Sequence, residues 1–182
     1  QLIFDELIQY KQLGYQAAVF SFDRPPLNML KHKHMRVIYT TNEKIKLLAR
    51  RGIDIYIEHP FTDEFSHLSP EDFVIKVLLE KTGMKVLVVG DQGNVELLER
   101  MSKEYDFKLI VISKLELEGE IVSSTRIRHL LSEGKVEEAN RLMEDPFMIC
   151  GSVVHGNHMG AEVLQMPTAN QIPLEDKLLP PN

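Results

Sequence analysis

Lys85-Val86-Leu87-Val88-Val89-Gly90 is the most sheet-like run in the chain. Its apolar residues are continuous rather than alternating, which suits a strand covered on both faces, as strands of parallel sheets are. A turn follows, then a helix predicted from Asn94 to about Tyr105, then another strand from Lys108 to Ser113. The same alternation extends upstream. Ala17–Phe22 is a buried-strand type of run, stopped by Asp23-Arg24-Pro25-Pro26, which cannot continue a central strand. Thr40-Thr41-Asn42 caps a helix through Arg51, Gly52 stops it, and Ile53–Glu58 is the next strand. Ser69-Pro70-Glu71-Asp72 has the cap, the early proline and the acids of a helix start, and Gly83 closes that helix. Residues 2–13 read as an amphipathic helix closed by Gly14. Four such alternations predict an α/β fold with a doubly wound parallel sheet. Ligands of such sheets sit beyond the carboxyl ends of the strands, where the turns at Ser21–Pro26 and Gly90–Asn94 lie.

The stretch Val122-Ser123-Ser124-Thr125-Arg126-Ile127-Arg128 carries the chemistry. Hydroxyl residues stand just before the apolar spacing Ile127, Leu130, Leu131, so Ser123 or Ser124 is the natural N-cap of a helix running to about Ser132. This helix is expected to open on the same sheet edge. No Glu or Gln completes a capping box, and cations in a first turn oppose the helix dipole by about 0.3–1 kcal/mol each unless an anion receives them. Hydroxyls, free amides and two arginines together suit a phosphate cradle. The plainer reading is a capped surface helix with two solvated arginines. Arg126 and Arg128 lie about 200° apart around a regular helix, so one phosphate cannot readily take both.

Composition excludes several classes. Hydrophobic content of 43% and charged content of 26% are ordinary for a globular protein. A net charge of −6 without long runs argues against nucleic acid as the main partner. No apolar run approaches about 18 residues, and no basic and apolar leader opens the chain, so neither membrane nor secretion is expected. The single Cys150 fits a reducing compartment, hence the cytoplasm, and reads as a small core residue. Lys31-His32-Lys33-His34 reads as a solvated loop rather than a metal site. A monomer or weak oligomer is expected.

Near the C-terminus the character changes. A short helix with Val136, Ala139, Leu142 and Met143 facing inward ends at Asp145-Pro146. Phe147–Val154 is strand-like, a Gly156–Gly160 loop follows, and Pro167-Thr168-Ala169-Asn170 precedes a proline-rich end. Two strands do not make a stable fold alone. The division is therefore residues 1–145 as one domain and 146–182 as the opening of a second, β-type domain.

In register along the chain, several motifs resemble the prokaryotic bifunctional riboflavin kinase/FMN adenylyltransferase (FAD synthetase) family. Val19–Pro26 looks like its strand ending in Thr-Phe-Asp-Pro-His-Pro. Ile53-Asp54 through Phe61, followed by Ser69–Phe73, is similar to a second segment. Val88-Val89-Gly90 and Gly93–Leu98 resemble the flanks of its flavin-site loop. Ser123–Arg128 is close to Ile-Ser-Ser-Thr-x-Ile-Arg, with Gly134–Ala139 following as in the family. Gly151–Gly156 and Pro167-Thr168-Ala169-Asn170 look like the start of the kinase module.

This resemblance implies a Rossmann-like sheet of nucleotidylyltransferase type, followed by the start of a β-barrel riboflavin-kinase-like domain. It implies FMN and ATP as substrates, FAD and pyrophosphate as products, and Mg²⁺ as the metal, with riboflavin a further substrate if the kinase module works. Ser124, Thr125 and Arg128 would act on the ATP phosphates, with Ser123 and Arg126 beside them, and Phe22, Asp23 and Gly90 would join in binding. Thr168 and Asn170 are placed as the kinase module's Mg²⁺ ligands, a hydroxyl and a carbonyl suited to a hard cation.

Departures accompany the match. The His-x-Gly-His turn is absent, Gln1 aligning just after it, and Gly90-Asp91-Gln92-Gly93 lacks Asp-Phe-x-Phe-Gly. Further residues are expected at both places. Arg24-Pro25-Pro26 replaces Pro-His-Pro, Ala161 replaces an arginine, and Gln165-Met166 replaces Gly-Phe. Three readings compete with the bifunctional enzyme: a monofunctional FMN adenylyltransferase with a degenerate kinase module, a nucleotidylyltransferase with another acceptor, and a non-catalytic flavin or nucleotide sensor.

Overall fold

A computed structural model describes residues 2–24, 35–91, 93–117, 119–154 and 170–181. The expectations for Pro25-Pro26, Lys31–His34, Gln92, Gly156–Gly160, Ala161, Gln165-Met166 and Thr168 fall outside the described residues. The chain forms two compact units, one of Gln1–Lys33 with Leu48–Val122 and the other of His34–Leu47 with Ser123–Asn182.

In the first unit the order is helix α1 (Leu2–Gln12), strand β1 (Ala18–Phe22), then, beyond helix α2 (Thr41–Arg50), strand β2 (Ile55–His59). Strands β1 and β2 pair in parallel, from Ala18 opposite Ile55 to Phe22 opposite His59. Strands β3 (Val86–Gly90) and β4 (Lys108–Ile112) pair in parallel from Val86 opposite Lys108 to Gly90 opposite Ile112. The class is therefore mixed α/β with parallel strands. The described residues make two parallel pairs, however, not one continuous ladder.

A shared core joins the pairs. Val74, Leu78, Leu97, Met101 and Phe107 are buried, and Phe20 of β1, Leu87 of β3 and Leu109 of β4 pack against them. Helix α5 (Val95–Glu104) supplies two of these residues because Leu97 and Met101 are four apart, on one face. Asn94 caps it by accepting a hydrogen bond from the Leu97 amide at 3.3 Å.

The helix expected from Ser69 to Gly83 differs in its interior. Short helices α3 (Asp63–Ser66) and α4 (Pro70–Asp72) lead into a π-helix over Phe73–Leu79, where the Glu80 amide reaches the Ile75 carbonyl at 2.9 Å. Ser69 caps as expected, accepting from the Asp72 amide at 3.0 Å. No glycine or proline within Phe73–Leu79 marks the wider pitch. A small antiparallel hairpin of β5 (Glu116–Leu117) and β6 (Glu120–Ile121), too short for the sequence pattern to reveal, ends this unit.

In the second unit, helix α6 (Ser124–Ser132) buries Ile127, Leu130 and Leu131, and helix α7 (Val136–Met143) buries Ala139 and Leu142. Between them Gly134 takes φ +77°, a turn that L side chains rarely adopt. Strands β7 (Gly151–Val154) and β8 (Asn170–Pro173) pair antiparallel.

Strand β7 begins later than the expected Phe147. The backbone before it is bonded elsewhere: the Phe147 amide to Asn140, the Met148 carbonyl to Lys177 and the Cys150 amide to Glu43. Cys150 is half-buried rather than a core residue, and its sulfur lies 3.4 Å from Lys46 Nζ.

Glu43 and Lys177 knit this unit together. Thr40 and Glu43 form a capping box at the start of α2, the Thr40 amide donating to Glu43 Oε2 at 2.9 Å and the Glu43 amide to Thr40 Oγ1 at 3.4 Å. Lys177 Nζ donates to Glu43 Oε2 at 2.7 Å and to the carbonyls of Ile38 and Met148 at 2.6 Å. The Phe147 ring centroid lies 4.3 Å from the same ammonium. Both side chains are 0% exposed. Burial pushes the Glu43 carboxyl up, but the bonds from Lys177, Thr40 and Cys150 outweigh it and hold the group below its ordinary value. Burial pulls the Lys177 ammonium down, with Glu43 opposing.

Breaking one side of such a pair leaves a buried charge, so Lys177→Met or Glu43→Gln is expected to cost about 3–5 kcal/mol in urea unfolding. The double variant Glu43→Leu/Lys177→Met should cost clearly less than either single. A double that costs the sum of the singles would contradict the pairing. A depressed carboxyl contributes stability above its unfolded value and loses it as pH falls through the folded one. The melting midpoint should therefore hold down to about pH 5 and drop below the ordinary value of 4.5, and Glu43→Gln should blunt that drop.

Candidate phosphate site at the start of helix α6

The first turn of α6 is built as its hydroxyl residues suggest. Ser123 is the N-cap, with φ −146° and ψ 153°, and its Oγ accepts from the Arg126 amide at 3.2 Å. The Ile127 amide makes the first intrahelical bond, to the Ser123 carbonyl at 3.0 Å. The amides of Ser124 and Thr125 are then first-turn donors that the helix cannot satisfy internally. Both residues are exposed, and the first turn carries no acidic side chain.

Arg126 and Arg128 are both half-buried. Arg128 Nε donates to the Arg36 carbonyl at 3.4 Å, a neutral acceptor that does not cancel the guanidinium charge. Burial lowers Arg128 from its ordinary value, yet an arginine remains charged at any physiological pH. A half-desolvated cation and first-turn amides without intrahelical partners are each features that favour an anion.

The other expected binding residues lie in the first unit. Phe22 ends β1 and packs edge-to-face on Phe20, Phe61 and Phe65, with ring centroids 5.6, 5.0 and 5.4 Å away. The His59 ring sits 4.5 Å from that of Phe65. Asp23 Oδ1 accepts from the Phe61 amide at 3.0 Å, and Arg24 Nε lies 3.1 Å from Oδ2. Burial raises the Asp23 carboxyl, but these bonds prevail and keep it below its ordinary value. Asp23 thus ties the segment after β1 to the one after β2. Gly90 ends β3, and a Cβ there would meet nothing within 4 Å, so packing does not require the glycine.

Of the two expected metal ligands, Thr168 lies outside the described residues, while Asn170 opens β8 opposite Val154 and is exposed. Among the described residues no group of three or more His, Cys, Asp or Glu side chains could hold a metal ion. One amide oxygen is a suitable hard donor but not a cage, so the described residues do not by themselves fit Mg²⁺.

Sequence reading missed Glu43 and Lys177. The spacing Thr40-x-x-Glu43 is a capping-box signature that could have flagged the first. Nothing local to Lys177 distinguishes it. The Phe61 and Phe65 rings were also legible, standing four apart across a Thr62-capped turn whose Oγ1 accepts from the Phe65 amide at 3.1 Å.

The FAD synthetase family model matches residues 1–126, more than half of the chain. The chain belongs to the FAD synthetase family. A riboflavin kinase family model matches residues 143–182. Curated relatives agree. A bifunctional riboflavin kinase/FMN adenylyltransferase of Buchnera aphidicola subsp. Schizaphis graminum is 38% identical over 82% of this chain and 51% of its own length. Its counterpart in Listeria monocytogenes is 34% identical over 93% of this chain and 56% of its own length. The one in Escherichia coli is 29% identical, covering 89% and 51%.

The chain thus spans about half the length of the curated relatives it matches. A crystal structure titled as a macrolide-efflux protein from Streptococcus pneumoniae superposes with a TM-score of 0.80 at 27% identity, over 98% of this chain and 60% of that one. Among the described residues no helix is long and apolar enough to cross a membrane.

The cap makes a separable prediction. Ser123→Ala should lose about 1 kcal/mol of stability. Ser124→Ala, exposed and outside the cap, should stay within about 0.5 kcal/mol. Equal losses in urea unfolding would remove the assignment of Ser123 as the cap.

Proposed function

We propose that this chain carries FMN adenylyl transfer in a FAD-forming enzyme. A phosphate oxygen of FMN attacks the α-phosphorus of ATP, the bond to the β-phosphate oxygen breaks, and FAD and pyrophosphate leave. Such a reaction gathers several negative charges and develops more on the leaving group, so fixed donors and cations in the right place are most of what a protein must supply. The observation that carries the reading is the first turn of α6: a serine cap, two exposed hydroxyl residues, no acid, and Arg128 held half-buried by a neutral carbonyl.

In this reading Ser124 and Thr125 offer amides and hydroxyls to the ATP phosphates, and Arg128 contacts the same phosphates in bound ATP and as charge builds on the departing pyrophosphate. Ser123 shapes the turn and Arg126 adds charge beside it. Phe22, Asp23 and Gly90 serve flavin and nucleotide binding. Bound Mg²⁺ would supply neutralisation of phosphate charge. The finer architecture belongs to the same proposal: a Rossmann-like doubly wound sheet of nucleotidylyltransferase type over 1–145, and the opening of a kinase-type β-barrel over 146–182 in which Thr168 and Asn170 would be candidate Mg²⁺ ligands. The protein is proposed to work in the cytoplasm as a monomer or weak oligomer on FMN and ATP, without nucleic acid.

The kinase side carries a narrower reading, since Ala161 and Gln165-Met166 replace an arginine and a Gly-Phe pair. Riboflavin should be phosphorylated slowly if at all. The test uses the full-length protein with ATP, Mg²⁺ and either FMN or riboflavin, followed by chromatography. FAD and pyrophosphate should form from FMN, and Arg128→Ala should lower kcat/KM for ATP by roughly 10²–10³, the scale for losing one preorganised charge-stabilising donor. The melting midpoint of that variant should hardly move. No FAD above blank would favour a sensor, and equal loss of activity and stability would make Arg128 structural.

A further inference from the structure

We infer that Lys177, which lies in the segment matched by the riboflavin kinase family, is a positioning residue for Arg128 of the adenylyl-transfer site. The inference rests on the proposed role of Arg128, and every residue in it belongs to the second unit.

The connection runs through residues 36–38. The Val37 amide donates to the Asp176 carbonyl at 2.8 Å, and the Leu178 amide donates to the Val37 carbonyl at 2.9 Å. Lys177 Nζ holds the next carbonyl, that of Ile38, at 2.6 Å. The carbonyl just before this clamp is that of Arg36, and it accepts Arg128 Nε. A guanidinium offers five N–H donors in a rigid fork. Fixing Nε on a carbonyl sets the fork's direction and leaves its terminal nitrogens to meet a phosphate. The acceptor that sets this direction is held on its C-terminal side by residues 176–178.

The clamp is stiff because Lys177 uses its full donor capacity. An ammonium has three protons, and the three oxygens of Glu43, Ile38 and Met148 receive them. Glu43 cannot drift, since its other bonds go to the Thr40 and Cys150 amides. The Met148 and Cys150 backbone leads directly into β7. The segment entering the kinase-type strands and the arginine of the adenylyl site therefore share one buried ion pair. Loss of the lysine frees the Ile38 carbonyl and, with it, the segment bearing the Arg36 carbonyl.

The experiment measures steady-state FAD formation by the full-length protein, with KM for ATP and for FMN determined separately. The variants are Lys177→Met, Lys177→Arg, Arg128→Ala and Lys177→Met/Arg128→Ala, each checked for folding at the assay temperature by near-UV circular dichroism. Lys177→Met should raise KM for ATP roughly tenfold, a coupling typical of neighbours in one hydrogen-bond network, and leave KM for FMN unchanged. Lys177→Arg should recover part of the loss. In the Arg128→Ala background Lys177→Met should do nothing further to KM for ATP.

An equal effect in both backgrounds, or no effect on KM for ATP in folded Lys177→Met, overturns the inference while the role of Arg128 stands. If Lys177→Met does not fold, Lys177→Arg decides by the same comparison in the two backgrounds. An Arg128→Ala variant with unchanged kcat/KM for ATP overturns the functional reading itself, and the inference with it.

Discussion

Lys177 is 0% exposed and still charged, a state tolerable only because each of its protons has an oxygen to meet. Those oxygens come from α2, from the segment just before it and from the segment before β7, which lies far away in sequence. An unpaired ammonium in that place would be intolerable, so the three segments must arrive together or the lysine must move out to water. The pair is thus less a source of net stability than a constraint on arrangement. Its desolvation is costly, and what it gives in return is one geometry for residues 36–43, 147–150 and 174–178. The half-buried Arg128 is tied to this geometry through a single carbonyl.

The local grammar of the chain was largely readable. Helix α6 begins and ends where its hydroxyls and apolar spacing place it, Asn94 and Ser69 cap as expected, and the strands at β1, β3 and β4 lie within a residue of the apolar runs that encode them. These features are decided by neighbours in sequence, where propensity and capping act. The failures have a common cause. The π-helix over Phe73–Leu79, the late start of β7 and the buried partnership of Glu43 with Lys177 all depend on contacts between distant residues. A lysine in Asp176-Lys177-Leu178 looks like any solvated lysine until the fold supplies its partners. At the candidate site the same division holds: the serine cap was legible, while the Arg36 carbonyl that receives Arg128 was not.

Two physical arguments meet at the first turn of α6. Helix amides and a desolvated guanidinium favour anions irrespective of any relative, and a cationic first turn is mildly unfavourable until an anion is bound. In the proposed function that anion is a nucleotide phosphate, and a riboflavin kinase family model matches 143–182, beyond the FAD synthetase match over 1–126. In the first unit, Asp23 and the aromatic rings after β1 and β2 form a separate, well-packed group, with flat apolar faces of the kind that suit a planar ring system.

The account stands on the claim that the first turn of α6 receives the phosphates of ATP. Hydrogen exchange of the full-length protein, followed amide by amide with and without ATP and Mg²⁺, tests this most directly. Slower exchange at Ser124 and Thr125 on adding ATP is the predicted result. Protection elsewhere with those two amides unchanged would contradict it.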